Sequence, residues 1–157
     1  MSNPFAGADI MVPDEYREHF DAFVQKKEGK AAQPVHQPFG RNIDMWFFAI
    51  CLAVKKGLRP ATYSGKTYKA AEGVVLNSDS WRPTVLSLLA IGETNDVSVV
   101  ERPGDMLRIA NGYALAGLPE LLSLLAERDG DTALDYLSEN VESFLRGRRG
   151  AAQREEA

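Results

Sequence analysis

Apolar residues run without a break from Met45 to Val54, the longest such run in the chain. The residues around it frame a helix. Asn42 is placed to cap the first turn, and Asp44 to meet the positive end of the helix dipole. Lys55 and Lys56 suit the last turn, Gly57 suits the left-handed position beyond it, and Pro60 blocks continuation. Trp46, Phe47 and Phe48 are consecutive and so point in different directions round the axis. A helix apolar on all sides must be enclosed by other elements or by lipid, and this run falls short of the roughly 20 residues a bilayer requires. The pattern predicts a central helix over 42–57, buried on nearly every side, in which truncation of Trp46 or Phe48 to alanine is severe. Cys51, inside the run, is expected to be an inert buried thiol.

The other elements follow from weaker periodicities. Residues 1–12 read as a loose arm. Pro13 suits a first helical turn, and Tyr16, Phe20, Phe23 and Val24 recur on one face of a helix that Lys26, Lys27 and Gly29 would end. Gly29, Pro34, Pro38 and Gly40 mark an extended linker, with Phe39 packing as a staple before the central helix. Residues 58–80 form a long irregular loop, of a kind often functional. It leaves open extended pieces at 74–76 or a brief helix at 66–72. Asp79 or Ser80 caps the next helix, whose face is Val85, Leu86, Leu88, Leu89 and Ile91 and which Gly92 ends. Residues 96–102 suit one helical turn better than a lone strand. A helix from Pro103 to Ala116 follows, where Gly112 marks close packing. Gly117 breaks the chain and Pro119 starts the next helix. The last helix, from Thr132 to about Arg146, carries Leu134, Leu137, Val141, Phe144 and Leu145 on one face. Short breaks between these last helices predict antiparallel neighbours. Residues 147–157 have little to bury and read as a disordered tail.

The expected fold is therefore all-α: a single compact helical domain over 13–146, of about five to six helices around the central one. Its 157 residues, 45% of them hydrophobic, are enough for a real core. One cysteine excludes an intrachain disulfide framework. The N-terminus lacks the basic and apolar regions of a signal peptide. A cytoplasmic location without membrane contact is the expectation.

Net charge is −4, but it is uneven. Between Arg41 and Arg82 seven basic residues face only three acidic ones, whereas the remainder is strongly acidic. Lys55, Lys56, Arg59, Lys66 and Lys69 interleave with Tyr63 and Tyr68, with Arg41 upstream. Such cations could meet phosphates while the tyrosines stack on bases. They could equally meet an acidic protein, or the acidic half of a second copy.

Candidate chemistry is otherwise sparse. Ser64-Gly65-Lys66-Thr67 matches only the end of a P-loop, because Pro60 stands where that motif needs glycine and no strand precedes it. His19 and His36 have no metal-ligand spacing, so neither a metal site nor a cofactor is expected. Arg41 and Asp44 are placed to form an ion pair at the entry to the central helix. No acid–base or nucleophile constellation is visible, which argues against an enzyme. The expected function is a non-catalytic helical accessory subunit or adaptor in a cytoplasmic assembly. The alternative is a nucleic-acid-binding accessory protein using the basic 55–69 stretch, by analogy one in a prokaryotic DNA-processing or defence system.

Overall fold

The central helix forms where its pattern places it, as α2 (Asn42–Lys55). Its C-terminus closes as the sequence dictates. Gly57 takes a φ of 67°. Its N–H donates to the Val54 carbonyl at 3.0 Å, and that of Leu58 to Ala53 at 2.9 Å. These are the two bonds of a Schellman closure. The start differs from expectation. Arg41 is the N-cap residue, with no side-chain capping bond, so Asn42 does not cap. Its side chain instead donates to the Ala70 carbonyl at 2.8 Å. Nor is α2 enclosed on every side: Cys51, Val54 and Lys55 are exposed and Phe48 is half-buried.

The computed structural model describes residues 3–25 and 34–155, a mostly helical compact domain with five α-helices and one two-stranded sheet. The expected roles of Lys26, Lys27 and Gly29 in ending the first helix lie outside the described residues. That helix, α1 (Arg17–Phe23), follows a 3-10 turn at Asp14–Tyr16.

Two expectations about irregular segments are corrected. The N-terminal segment is not a loose arm: Asp9–Pro13 is strand β1, and Phe5, Ile10 and Val12 are buried. Its antiparallel partner is β2 (Thr67–Glu72), within the segment read as a loop. The register pairs Ile10 with Ala71 but Met11 with Lys69, so Ala70 has no opposite residue. Such a bulge leaves a backbone group in need of a partner, and the Asn42 side chain supplies it. A 3-10 turn over Gly73–Ser78 then stands where extended structure was considered.

Helix α3 (Trp81–Thr94) runs past Gly92 and ends at Asn95, which takes the left-handed conformation at φ 53°. A 3-10 turn over Val97–Glu101 gives the single helical turn expected there. Helix α4 (Pro103–Ala126) is continuous, although two helices were expected. Pro119 removes one donor and disfavours the helix by about 3 kcal/mol. Leu118 and Leu121, on either side of it, are fully buried, which offsets that penalty. Gly117 is no breaker: a Cβ there would run into the Ala49 backbone carbonyl, so the glycine lets α4 lie directly on α2. This is the most extensive contact between elements. Within it the Trp46 indole N–H donates to Asn111 Oδ1 at 3.0 Å, satisfying the one polar atom of that side chain. Gly112 also packs closely, since a Cβ would lie 2.7 Å from the Pro60 Cβ. By length and composition α4 could cross a membrane, but half of that stretch is buried inside the domain.

Helix α5 (Ala133–Glu155) extends through most of the expected disordered tail. Only Ala133 and Leu137 of its side chains are buried. Beyond Arg146 the helix continues with little packing, the Arg148 guanidinium lying 6.0 Å from the Phe144 ring centre; its arginine, alanine, glutamine and glutamate residues favour helix, against Gly147 and Gly150, which do not.

Candidate partner-binding face

The fold disperses the basic residues singled out in the sequence. Arg41 and Lys55 bracket α2, whose 14 residues put its ends about 20 Å apart. Lys56 pairs with Glu120. Lys69 lies 3.4 Å from Glu72 and 3.9 Å from Asp9. Lys55 stands over the Phe144 ring of α5 at 4.5 Å. Arg59 and Lys66 are exposed in the segment joining α2 to β2. Tyr63, also exposed, lines a separate cleft. Tyr68 is half-buried, with the Arg17 guanidinium 4.4 Å from its ring centre. Its hydroxyl is buried without a hydrogen-bond partner, and burial, then the nearby Asp21 carboxylate, push it up to about 12. That ring is not offered for stacking on a base.

Arg41 belongs to a different cluster. It donates to Asp44 at 3.2 and 3.3 Å, the ion pair expected at the helix entry, and to Asp79 at 3.3 Å. Arg82, from the first turn of α3, donates to the same Asp44 oxygen and lies 3.4 Å from Asp79. Burial alone would raise the Asp44 carboxyl. Hydrogen bonds from Arg82 and Arg41 outweigh that and hold it below the usual carboxylate range. The Arg82 side chain is only 8% exposed. Its guanidinium sits 5.6 Å from the Phe47 ring centre and 5.3 Å from that of Trp81. The Trp81 ring stands edge-on to Phe47 at 5.2 Å and 89°. Two ion pairs and two aromatic contacts thus bind the start of α3 to α2.

The clasp fixes one face of α3 outward. Arg82, Leu86 and Ala90 point into the protein. Trp81, Val85 and Leu88, at i, i+4 and i+7, form the opposite stripe, and are 51%, 39% and 63% exposed. Trp81 rests on Phe47, and one turn further along α2 is Cys51. Cys51 is exposed, not buried as expected. Packing around the thiol nonetheless raises its pKa, with Arg82 opposing, which does not suit a nucleophile. One more turn reaches Lys55 and, over it, Phe144, which with Val141 and Leu145 forms the exposed apolar face of α5. The residues of this face were in plain view in the sequence, but which side of each helix is outward depends on Arg82 finding Asp44 and Asp79.

Among the described residues no group of His, Cys, Asp and Glu side chains is placed to hold a metal. Comparison with family models, with curated proteins and with solved structures returned no match.

Proposed function

We propose that the protein is a non-catalytic helical adaptor that binds another protein through the Trp81–Val85–Leu88 stripe. The exposure of that stripe carries the reading. Large apolar side chains at helical spacing on an outer face are the means by which one helix docks against another. Trp81 is held in a fixed orientation by Phe47 and Arg82, so it loses little freedom on binding, and tryptophan is among the residues that dominate interfaces. A cytoplasmic assembly remains the setting we propose.

The alternative is nucleic-acid binding by the basic stretch, favoured by Lys55, Arg59 and Lys66, which pair with no carboxylate among the described residues. One set of variants separates the two. Under the adaptor reading, Leu88→Asp abolishes co-purification of a defined partner, and changing Lys55, Lys56, Lys66 and Lys69 to Glu leaves it. Under the alternative, binding to labelled DNA or RNA weakens steeply with salt and fails in the lysine variant only. Retention of the partner by both Leu88→Asp and Trp81→Ala would refute the adaptor reading.

A further inference from the structure

Helix α5 is amphipathic beyond what its own domain uses. Ala133 and Leu137, near its start, are buried, and no described residue after them is. Val141, Phe144, Leu145 and Arg148 nonetheless recur at i, i+3, i+4 and i+7, the spacing of one packing face. Val141, Phe144 and Leu145 are 41%, 37% and 47% exposed. Lys55 of α2 lies 4.5 Å from the Phe144 ring centre and Arg148 lies 6.0 Å from it. These two side chains border the ring, and the stripe is open to solvent.

The charges on α5 select what fits there. Asp135, Glu139 and Glu142 fall in its first half, and Arg146, Arg148 and Arg149 in its second, with Arg154 and Glu155 cancelling at the end. A uniformly acidic or uniformly basic partner would meet like charge along half of the helix, and the acidic half would repel phosphates. A second α5 running in the opposite direction sets acid against base along both halves, whereas a parallel one sets like against like. The register follows from one pair. Glu142 and Arg149 are seven residues apart, two helical turns, so they flank the apolar stripe on the same side. In a two-fold pair, Glu142 of each copy then lies beside Arg149 of the other. Glu142 is 3.1 Å from Arg146 of its own helix but still 63% exposed, so it is free to meet a second guanidinium. That register brings the two Leu145 side chains together at the axis and sets each Phe144 ring near Arg148 of the other copy.

We infer that α5 is a self-association site, through which two copies of the chain pair antiparallel by Val141, Phe144, Leu145 and their flanking charges. This surface is separate from the Trp81 stripe of α3, and the inference does not rest on the adaptor reading. One helix from each copy gives a small interface, under about 1,200 Å² in total, a size that marks transient complexes. The dimer therefore forms at high micromolar concentration and dissociates at the low concentrations of an unfolding assay.

Sedimentation equilibrium of the full chain at low salt, from about 5 to about 500 μM, is expected to show monomer and dimer with a Kd on the order of 100 μM. Leu145→Asp should leave the chain monomeric over that range, and so should Arg149→Glu. Combining Arg149→Glu with Glu142→Arg should recover the dimer, because the two exchanged charges again face each other. Circular dichroism melts of the variants at low concentration check the fold. In a Cys51→Ser background, Leu145→Cys should form a disulfide-linked dimer under mild oxidation and Arg154→Cys should not, since antiparallel helices hold their ends apart. A monomer at every concentration overturns the inference. So does a dimer that Leu145→Asp leaves intact, one that the exchanged charges fail to recover, or one crosslinked by Arg154→Cys instead of Leu145→Cys.

Discussion

Replacing Asp44 with asparagine tests the clasp between α2 and α3. The substitution keeps the shape and one neutral acceptor but removes the charge shared by Arg82 and Arg41. A hydrogen bond to a charged group contributes about 1.5–3 kcal/mol, which applies to the buried Arg82 contact. The Arg41 pair, more exposed, adds only about 0.2–1 kcal/mol. The asparagine oxygen recovers about 1 kcal/mol as a neutral acceptor. The expected net loss is about 2 kcal/mol, or roughly 4–8 °C in Tm for a chain of this length. The effect also has a pH signature. The folded carboxyl titrates below its unfolded value of about 3.9. Asp44 therefore stabilises fully above about pH 4, and the gain is lost as pH falls through the folded value. Urea unfolding of both proteins from pH 7 to pH 3 should show a gap that is constant at the upper end and narrows at the lower. A gap under about 0.5 kcal/mol at pH 7, or one that persists unchanged at pH 3, would refute this account of the cluster.

Other perturbations have equally definite outcomes. Gly117→Ala should destabilise by at least the roughly 1–3 kcal/mol of an overpacked core, because the obstacle is the Ala49 backbone; urea unfolding at neutral pH reads it directly. Native Cys51 should react completely with a thiol reagent without denaturant, because it is exposed, and protection until unfolding would contradict its position. Deleting residues 147–157 should change unfolding free energy by less than about 0.5 kcal/mol, since the described side chains there contact little else. In the same assay, Trp46→Ala should cost about 3–5 kcal/mol, because its ring is 1% exposed.

Much of the helical framework was legible because helices announce themselves locally. The run from Met45 to Val54, the stop at Gly57 and the periodicity of Leu134, Leu137 and Val141 need no knowledge of distant residues. The errors fall where the deciding partner is remote. Ile10 and Val12 alternate as a strand does, but a lone strand has no stability, and its partner lies beyond α2. Gly117 and Pro119 read as breakers because the burial that sustains α4 through them comes from α2. Cys51 read as buried because an unbroken apolar run does not reveal which side its neighbours leave open. The same applies to the candidate sites. Lys55, Lys56 and Lys69 look like one patch in the sequence, but the fold places Lys55 and Lys56 at the end of α2 and Lys69 on β2. Val85 and Leu88 were read within one broad apolar face with Leu86, Leu89 and Ile91, and Trp81 was not read at all, because the outward sense of the stripe is set by Arg82, whose partners lie on another helix and in the preceding turn.

The pairing of β1 with β2 has a consequence for the order in which the chain assembles. Asp9 aligns with Glu72 and Pro13 with Thr67, while all of α1 and α2 lies between them. As the chain leaves the ribosome, the N-terminal strand has no partner until Glu72 has emerged. Phe5, Ile10 and Val12 must wait until then for their final burial. Closing so long a loop is also entropically unfavourable, and contacts distant in sequence slow folding. Helix α2 can meanwhile form locally but cannot cover Gly117 until α4 is made. The nascent protein therefore exposes Phe5, Ile10 and Val12 from their own emergence until that of Glu72, a period in which a chaperone would have its main opportunity to bind.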